Sequence, residues 1–186
     1  TLHRRWAEEV GERVFDGDGN RLPAPHYEAA ADAFRAFLRA HPNHERYPEV
    51  LRDLGHLQQD VFLALGEAEA TLRRVVERYP DAEAAHRARY DLGRLAIMRG
   101  DLATARIAFN RLVERLRTGD LAQQARYELA LLHFYEGDFE AALTRAEATN
   151  MNTSTDVAND AIELKVLLRV NTGPDSLDTP LRRYAT

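Results

Sequence analysis

One stretch of the chain has the residue types and spacing of a metal site. The sequence FDGDGN places Asp16, Asp18 and Asn20 at alternate positions, and side-chain oxygens are the ligands that calcium prefers. A helix-loop-helix calcium site also needs Gly at its sixth position and Glu at its twelfth. Counted from Asp16, those positions hold Arg21 and Tyr27. We therefore interpret the segment as an enlarged turn and predict no metal there.

A second candidate metal site is the sequence HPNHE, in which His41, His44 and Glu45 lie close together. A structural zinc site needs four ligands at characteristic spacings, and no fourth ligand follows at such a spacing. The segment comes directly after a predicted helix end and contains Pro42. Polar side chains and His are common in such turns, so we predict a turn without metal ligands.

The chain carries none of the short motifs of the common catalytic sites. It has no phosphate-binding glycine loop, no Gly-x-Ser-x-Gly elbow and no His-Glu-x-x-His. It has no cysteine, which excludes thiolate nucleophiles, disulfides and Cys-based metal sites. His133 stands at an apolar helix position and is expected to be packed rather than catalytic. We predict a protein that is not an enzyme and has no cofactor.

The composition is typical of one helix-rich globular domain. Of 186 residues, 45% are hydrophobic and 30% are charged. The formal net charge of -5 argues against nucleic acid as a partner, because phosphate binding needs a concentrated basic surface. No apolar run reaches the roughly 18 residues of a membrane-spanning helix. The chain begins at Thr1 rather than Met, so we expect a processed or excised fragment.

An internal repeat determines where these side chains lie. Residues 88–109 match residues 125–146 without a gap, a shift of 37 residues. Apolar residues follow helical spacing up to Gly100 and resume it after Asp101. Each unit is therefore predicted to be a helix, a turn and a second helix.

The turns between these helices have recognisable chemistry. Gly100 is expected to close the first helix in a left-handed conformation, and Asp101 is expected to cap the next helix. Gly137 and Asp138 repeat both roles. Asp120 is predicted to cap the helix that opens the following unit.

These units resemble the tetratricopeptide repeat family. The residues that carry the resemblance are Leu92, Gly93, Gly100, Asp101, Ala105 and Phe109 in the third unit, and Leu129, Ala130, Gly137, Asp138, Phe139 and Ala142 in the fourth. The resemblance implies an all-α fold, an α-solenoid of about five helix-turn-helix repeats in a right-handed superhelix with a concave groove.

The resemblance implies one tetratricopeptide-like domain over the whole chain. Its approximate units are 2–42, 45–80, 81–117, 120–150 and 155–186. In the first unit, the enlarged turn separates the two helices, and Pro25 is expected to start the second of them. The second unit is about one residue too long, so we infer a longer first helix there.

In this family the inner face of each first helix lines the groove, which predicts a set of partner-binding residues. Carried over position by position, they are Arg52, His56, Gln59, Arg87, Tyr90, Arg94, Ile97, Gln124, Tyr127, Leu131 and Phe134. Aromatics mixed with arginines suit an extended peptide or a partner helix. The alternative is that the tyrosines complete inter-helix packing while the arginines form a solvated face.

Some members of the family hold an acidic C-terminal tail with a clamp of lysine and asparagine. Here Arg52 and His56 stand at those positions, and Asp91 occupies a site where a neutral or basic residue is wanted. The clamp activity is therefore not carried over to this chain.

Two functions remain for such a domain. The first is a scaffold that binds a protein partner in the groove; the second is a structural subunit of a homo-oligomer or envelope assembly, with the groove incidental. Units that end in HP or YP are similar to those of bacterial envelope proteins with tetratricopeptide repeats. We therefore expect the bacterial periplasm or cell envelope.

Overall fold

The structure is a computed structural model that describes residues 14–15, 21–22, 25–149 and 156–171. Within these ranges a two-stranded ladder is followed by eight helices. The helices are α1 (Pro25–Ala40), α2 (Tyr47–Asp60), α3 (Leu65–Arg78), α4 (Glu83–Met98), α5 (Leu102–Leu116), α6 (Asp120–Tyr135), α7 (Phe139–Ala148) and α8 (Asp156–Asn171). The predicted all-α class of helix-turn-helix repeats is confirmed.

The ladder was not predicted from the sequence. Strand β1 (Val14–Phe15) pairs with strand β2 (Arg21–Leu22) in antiparallel register, with Val14 opposite Leu22. It lies at the enlarged turn inferred for the first unit. Helix α1 then begins at Pro25 as predicted, because the fixed φ of proline suits the first helical position.

The chain forms two compact units, Thr1–Ala88 and Arg89–Thr186. In the first unit α2 packs between α1 and α3. Its core includes Leu51 and Leu72. Gly55 permits a close approach between α2 and α3, because a Cβ atom there would lie 2.8 Å from Leu72 Cγ.

The second unit has two apolar clusters that share α6. In one cluster, Phe109 and Leu112 of α5 pack with Leu129 of α6. In the other, Phe134 of α6 packs with residues of α7 and α8, among them Leu168. Each helix thus buries its apolar face against neighbours along the chain, which is how repeat proteins are stabilised.

The helices contact others one or two places away in the sequence. Among the described residues, α5 packs on α6, α6 on α7 and α7 on α8, and α6 also contacts α8. None of the helices in these ranges is both long and apolar enough to cross a membrane.

The predicted turn chemistry is confirmed at two of the three turns considered. Gly100 and Gly137 have φ values of 75° and 76°, in the left-handed region that favours glycine. The Asp101 carboxylate accepts a hydrogen bond from the Thr104 backbone N–H at 3.0 Å. The prediction for Asp120 was wrong, since α6 begins at that residue and the preceding glycine occupies the N-cap.

The longer first helix inferred for the second repeat, residues 45–80, was also wrong. Helix α2 has 14 residues, whereas its counterpart α4 has 16. The extra residue lies in the turn at 61–64, where Leu63 has a φ of 52°. A loop absorbs an insertion without displacing the packed face of a helix, so the core register is kept.

The cap at Asp138 provides a test of the repeated turn. Its Oδ1 accepts a hydrogen bond from the Ala141 backbone N–H at 3.1 Å, and loss of such a cap costs about 1 kcal/mol. Asp138→Ala should lower the free energy of unfolding by that amount in urea titrations, whereas Asp138→Asn keeps an acceptor and should retain most of it. Equal losses in the two variants would contradict the capping role.

Candidate partner-binding face

Two of the predicted groove residues lie on α2 in the first unit and face neighbouring carboxylates. The Arg52 guanidinium lies 3.6 Å from a carboxylate oxygen of Asp53. His56 Nε2 lies 3.3 Å from a carboxylate oxygen of Asp60, one turn further along the helix. Both predicted residues retain some solvent exposure, so they are available at the surface but already engaged within α2.

Gln59 and Arg87, the other two predicted groove residues within Thr1–Ala88, differ in accessibility. Gln59 is fully buried, and neither polar atom of its side-chain amide has a hydrogen-bond partner. A side chain without exposed surface does not contact a docking partner, so Gln59 is not part of an accessible face. Arg87 is exposed and donates a hydrogen bond to Glu83 at 2.7 Å.

In the unit Arg89–Thr186, Tyr90 connects α4 to α6, which are the first helices of two successive repeats. Its hydroxyl donates a hydrogen bond to a carboxylate oxygen of Glu128 on α6 at 2.7 Å. Its ring lies 5.5 Å from the ring of Phe109 on α5. Burial raises the pKa of Tyr90, and the adjacent Glu128 carboxylate raises it further. Tyr90 therefore completes inter-helix packing, as the alternative interpretation expected for the tyrosines.

Glu128 and Arg94 form the polar surroundings of this hydrogen bond. Burial raises the pKa of Glu128, while the Tyr90 hydroxyl and the positive charge of Arg94 lower it. A half-buried carboxylate needs such partners, because its desolvation is otherwise uncompensated. The Arg94 charge is thus directed at a residue of its own chain.

Tyr127 lies 37 residues after Tyr90 and occupies the equivalent position in the next repeat. It is half-buried, and burial raises its pKa to about 12, with further contributions from Asp160, Glu128 and Glu163. Asp160 and Glu163 are exposed residues of α8. The α6 side of α8 is therefore negatively charged around the Tyr127 hydroxyl.

The remaining predicted residues contribute mainly to packing. Ile97 packs against the cluster around Phe109, and Leu131 packs against the cluster that contains Phe134. Phe134 is buried, with its ring 5.6 Å from that of Phe139. Gln124 is half-exposed at the start of α6.

Sequence reasoning missed the exposed apolar residues of the same helix faces. They are Met98 on α4, Tyr135 on α6, and Ile162, Val166 and Val170 on α8. Tyr135 follows Met98 by 37 residues and precedes Val170 by 35, so these three residues are equivalent. We call the five residues the first-helix face. The signal was the repeat itself, which could have been extended onto α8.

The first-helix face is most exposed on α8. The relative exposure of Val166 is 56% and that of Val170 is 73%. Leu164 and Leu168 form the opposite, buried side of the same helix. Helix α8 therefore has one apolar side in the core and a second apolar side in solvent.

His133 belongs to a separate cluster that ties α5, α6 and α7 together. Its Nε2 atom lies 3.0 Å from a guanidinium nitrogen of Arg106 and 2.9 Å from Nε of Arg145. Guanidinium groups donate and do not accept, so Nε2 is the acceptor and the neutral ring holds its proton on Nδ1. An open pocket of about 520 Å³ adjoins the cluster and is lined by His133, Asp138, Glu140, Ala141, Thr144 and Arg145. The expectation that His133 is packed is consistent with this arrangement.

The cluster predicts a pH dependence of stability. Burial lowers the pKa of His133 below its ordinary value of 6.5, and the charges of Arg106 and Arg145 lower it further. The unfolded chain then binds more protons between the two pKa values, so the free energy of unfolding rises with pH there. The contribution is complete above pH 6.5 and is lost as the pH falls toward the folded pKa.

Urea titrations at a series of pH values test this prediction. His133→Gln should lose stability less steeply than the parent chain as the pH is lowered from about 7.5 to about 5. The other histidines are common to both proteins, so the difference isolates His133. Parallel pH profiles in the two proteins would show that the imidazole is not protonation-sensitive in the fold.

The two segments considered for metal binding have different outcomes. Residues 16–20 of FDGDGN lie outside the described residues. In HPNHE, the rings of His41 and His44 lie 5.1 Å and 5.2 Å from that of Phe37, and His44 Nδ1 accepts a hydrogen bond from the Arg46 backbone N–H. Among the residues that the structure describes, no group of three or more His, Asp or Glu is placed to hold a metal ion.

Comparison with known proteins agrees with the repeat architecture. A family model described as tetratricopeptide repeat matches residues 65–120. A crystal structure of a tetratricopeptide repeat protein from Parabacteroides merdae covers 86% of the chain at 17% identity, with a TM-score of 0.60. Residues 65–120 thus match the tetratricopeptide repeat family, and the described residues have the fold of tetratricopeptide repeat proteins. The chain spans 59% of the length of the Parabacteroides protein.

Two crystal structures of MamA are also similar to this chain. Each covers 86% of the chain at 22% identity, with TM-scores of 0.57 and 0.59. The chain spans 77% and 86% of their lengths. No curated protein sequence matches the chain. Tetratricopeptide repeats generally serve as scaffolds for protein interactions and are typically not enzymes.

Gly93 and Phe109 occupy the small and aromatic positions of the tetratricopeptide repeat, and they are in close contact. A Cβ atom on Gly93 would lie 2.7 Å from Cε1 and Cζ of the fully buried Phe109 ring. Glycine is needed there because the ring occupies the space of a side chain.

Proposed function

We propose that the first-helix face of the second unit binds a peptide or helix of a partner protein. The observation that carries this proposal is the repeated exposure of large apolar side chains at equivalent positions of α4, α6 and α8. Single exposed apolar residues are common, but a set on one face is typical of interaction sites. The aliphatic side chains on α8 offer the apolar anchor positions, and Tyr127 and Tyr135 offer polar hydroxyl groups beside them.

Neighbouring contacts support continuity of this face. The hydrogen bond between Tyr90 and Glu128 joins α4 to α6. Helix α6 contacts α8, and Phe134 and Leu168 belong to one cluster. An amphipathic helix or an extended segment lying across adjacent helices could therefore reach several of the exposed side chains at once.

Selection from a random peptide library displayed on phage tests the proposal without a known partner. The full chain is immobilised, and the affinities of enriched peptides are measured by fluorescence anisotropy. Val166→Asp should weaken binding by about tenfold or more, because it places a carboxylate among apolar contacts. Ile107→Asp is the matched control, since Ile107 is 53% exposed on α5, away from the face.

The outcomes separate binding on this face from the alternative function. Equal losses in the two variants, or no enriched peptide, would contradict the proposal. Circular dichroism of each variant shows whether the fold is kept. If sedimentation instead finds a homo-oligomer that Val166→Asp dissociates, and no peptide is enriched, then the structural-subunit function is favoured.

A further inference from the structure

The apolar stripe on α8 is flanked by carboxylates on the side that faces α6. Ile162, Val166 and Val170 are spaced by four residues, so they form one stripe at about 3.6 residues per turn. Glu163 lies next to this stripe, and Asp160 lies beyond Glu163 on the same flank. Both carboxylates are exposed to solvent. A segment that covers the stripe would therefore pass close to two negative charges.

The carboxylates on this flank act on the hydroxyl of Tyr127. The ionisable groups that act on its hydroxyl include Asp160, Glu128 and Glu163, and each raises its pKa. Burial of the ring adds to the same effect. A partner cation placed here would face an aromatic ring and carboxylates, which together favour a guanidinium or ammonium group.

The cations of α8 lie on the opposite flank of the stripe. Arg169 forms an ion pair with Glu147 of α7. Lys165 is equivalent to Gly93 in the repeat. Gly93 lies against Phe109 of α5, the second helix of its own repeat. By helical spacing, both cations lie across the stripe from Asp160 and Glu163.

We infer that the face formed by α6 and α8 selects a basic amphipathic segment of a partner protein. Its aliphatic residues cover Ile162, Val166 and Val170, and a Lys or Arg side chain lies beside Asp160 and Glu163. This inference rests on the proposed function and adds the charge of the partner. The inference excludes the acidic tails that the clamp-bearing members of the family hold, because the negative charges of Asp160 and Glu163 would repel them.

The charge of the selected peptides tests the inference. Peptides enriched on the full chain should carry more Lys and Arg, relative to Asp and Glu, than the unselected library. The double variant Asp160→Lys with Glu163→Lys should weaken an enriched peptide by about tenfold or more. Glu114→Lys with Glu140→Lys is the matched control, since both residues are exposed elsewhere in the second unit, and it should leave binding within about twofold.

The result distinguishes the inference from the proposed function. Peptides that depend on Val166 but carry no excess of positive charge would overturn the inference and leave the proposed function in place. The inference is likewise overturned if the double reversal on α8 weakens binding no more than the control reversal. A selection that yields no Val166-dependent peptide overturns both.

Discussion

Gly93→Leu should lower the free energy of unfolding by about 1 to 3 kcal/mol, the usual range for overpacking a filled core. The first added carbon would already lie 2.7 Å from two ring carbons of Phe109, and real Cβ atoms do not approach a ring so closely. Phe109 is fully buried at the junction of α4, α5 and α6. Because the ring is packed among buried side chains, relieving the clash requires α4 and α5 to separate.

Gly66 supplies the matched control for this substitution. It lies near the start of α3, and a Cβ atom there would meet nothing within 4 Å. Gly66→Ala should therefore leave stability unchanged or raise it by up to about 1 kcal/mol. Thermal and urea unfolding of both variants provide the measurement. A Gly93→Leu protein as stable as the parent would contradict the close contact between Gly93 and Phe109.

Tyr90→Phe should cost about 1 to 3 kcal/mol of unfolding free energy, because it removes a hydrogen bond to a charged and partly buried group. The lost bond is the one from the Tyr90 hydroxyl to Glu128 at 2.7 Å. The aromatic ring remains against Phe109, so the loss reports the hydroxyl and not the packing. The pKa of Glu128 should also rise, since the Tyr90 hydroxyl is one of the groups that lower it.

Tyr135 is the control for the hydroxyl, since it lies on the same set of helix faces and is exposed. Tyr135→Phe should change stability by less than about 0.5 kcal/mol. A double-mutant cycle with Glu128→Gln then measures the coupling between Tyr90 and Glu128. A coupling energy near zero would show that the hydrogen bond does not contribute to the fold.

The sequence was sufficient for features that depend on local backbone chemistry. Gly100 and Asp101 act within one turn, so their types alone predict the conformation and the cap. Pro25 likewise starts a helix wherever it stands in the fold. The length of α2 could not be obtained this way, because an extra residue fits either a helix or a turn. In the structure the extra residue lies in the turn that contains Leu63.

The partner-binding residues were harder to predict because accessibility depends on residues far away in the sequence. Gln59 has the position of a groove residue and is nevertheless buried. Tyr90 bonds to a residue 38 positions later, which no local pattern shows. The exposure of Val166 and Val170 depends on what the fold leaves uncovered around α8. Whether the groove residues bind a partner therefore stays a prediction.

The sequence-local packing of the helices has a consequence for folding kinetics. In the described part of the chain, helices contact neighbours one or two places away, such as α5 with α6 and α6 with α8. Forming each contact closes a short loop, so little chain entropy opposes each step and folding should be fast. A repeat array can also nucleate at more than one place. During synthesis, each helix pair can therefore start to pack before the following pair has been made.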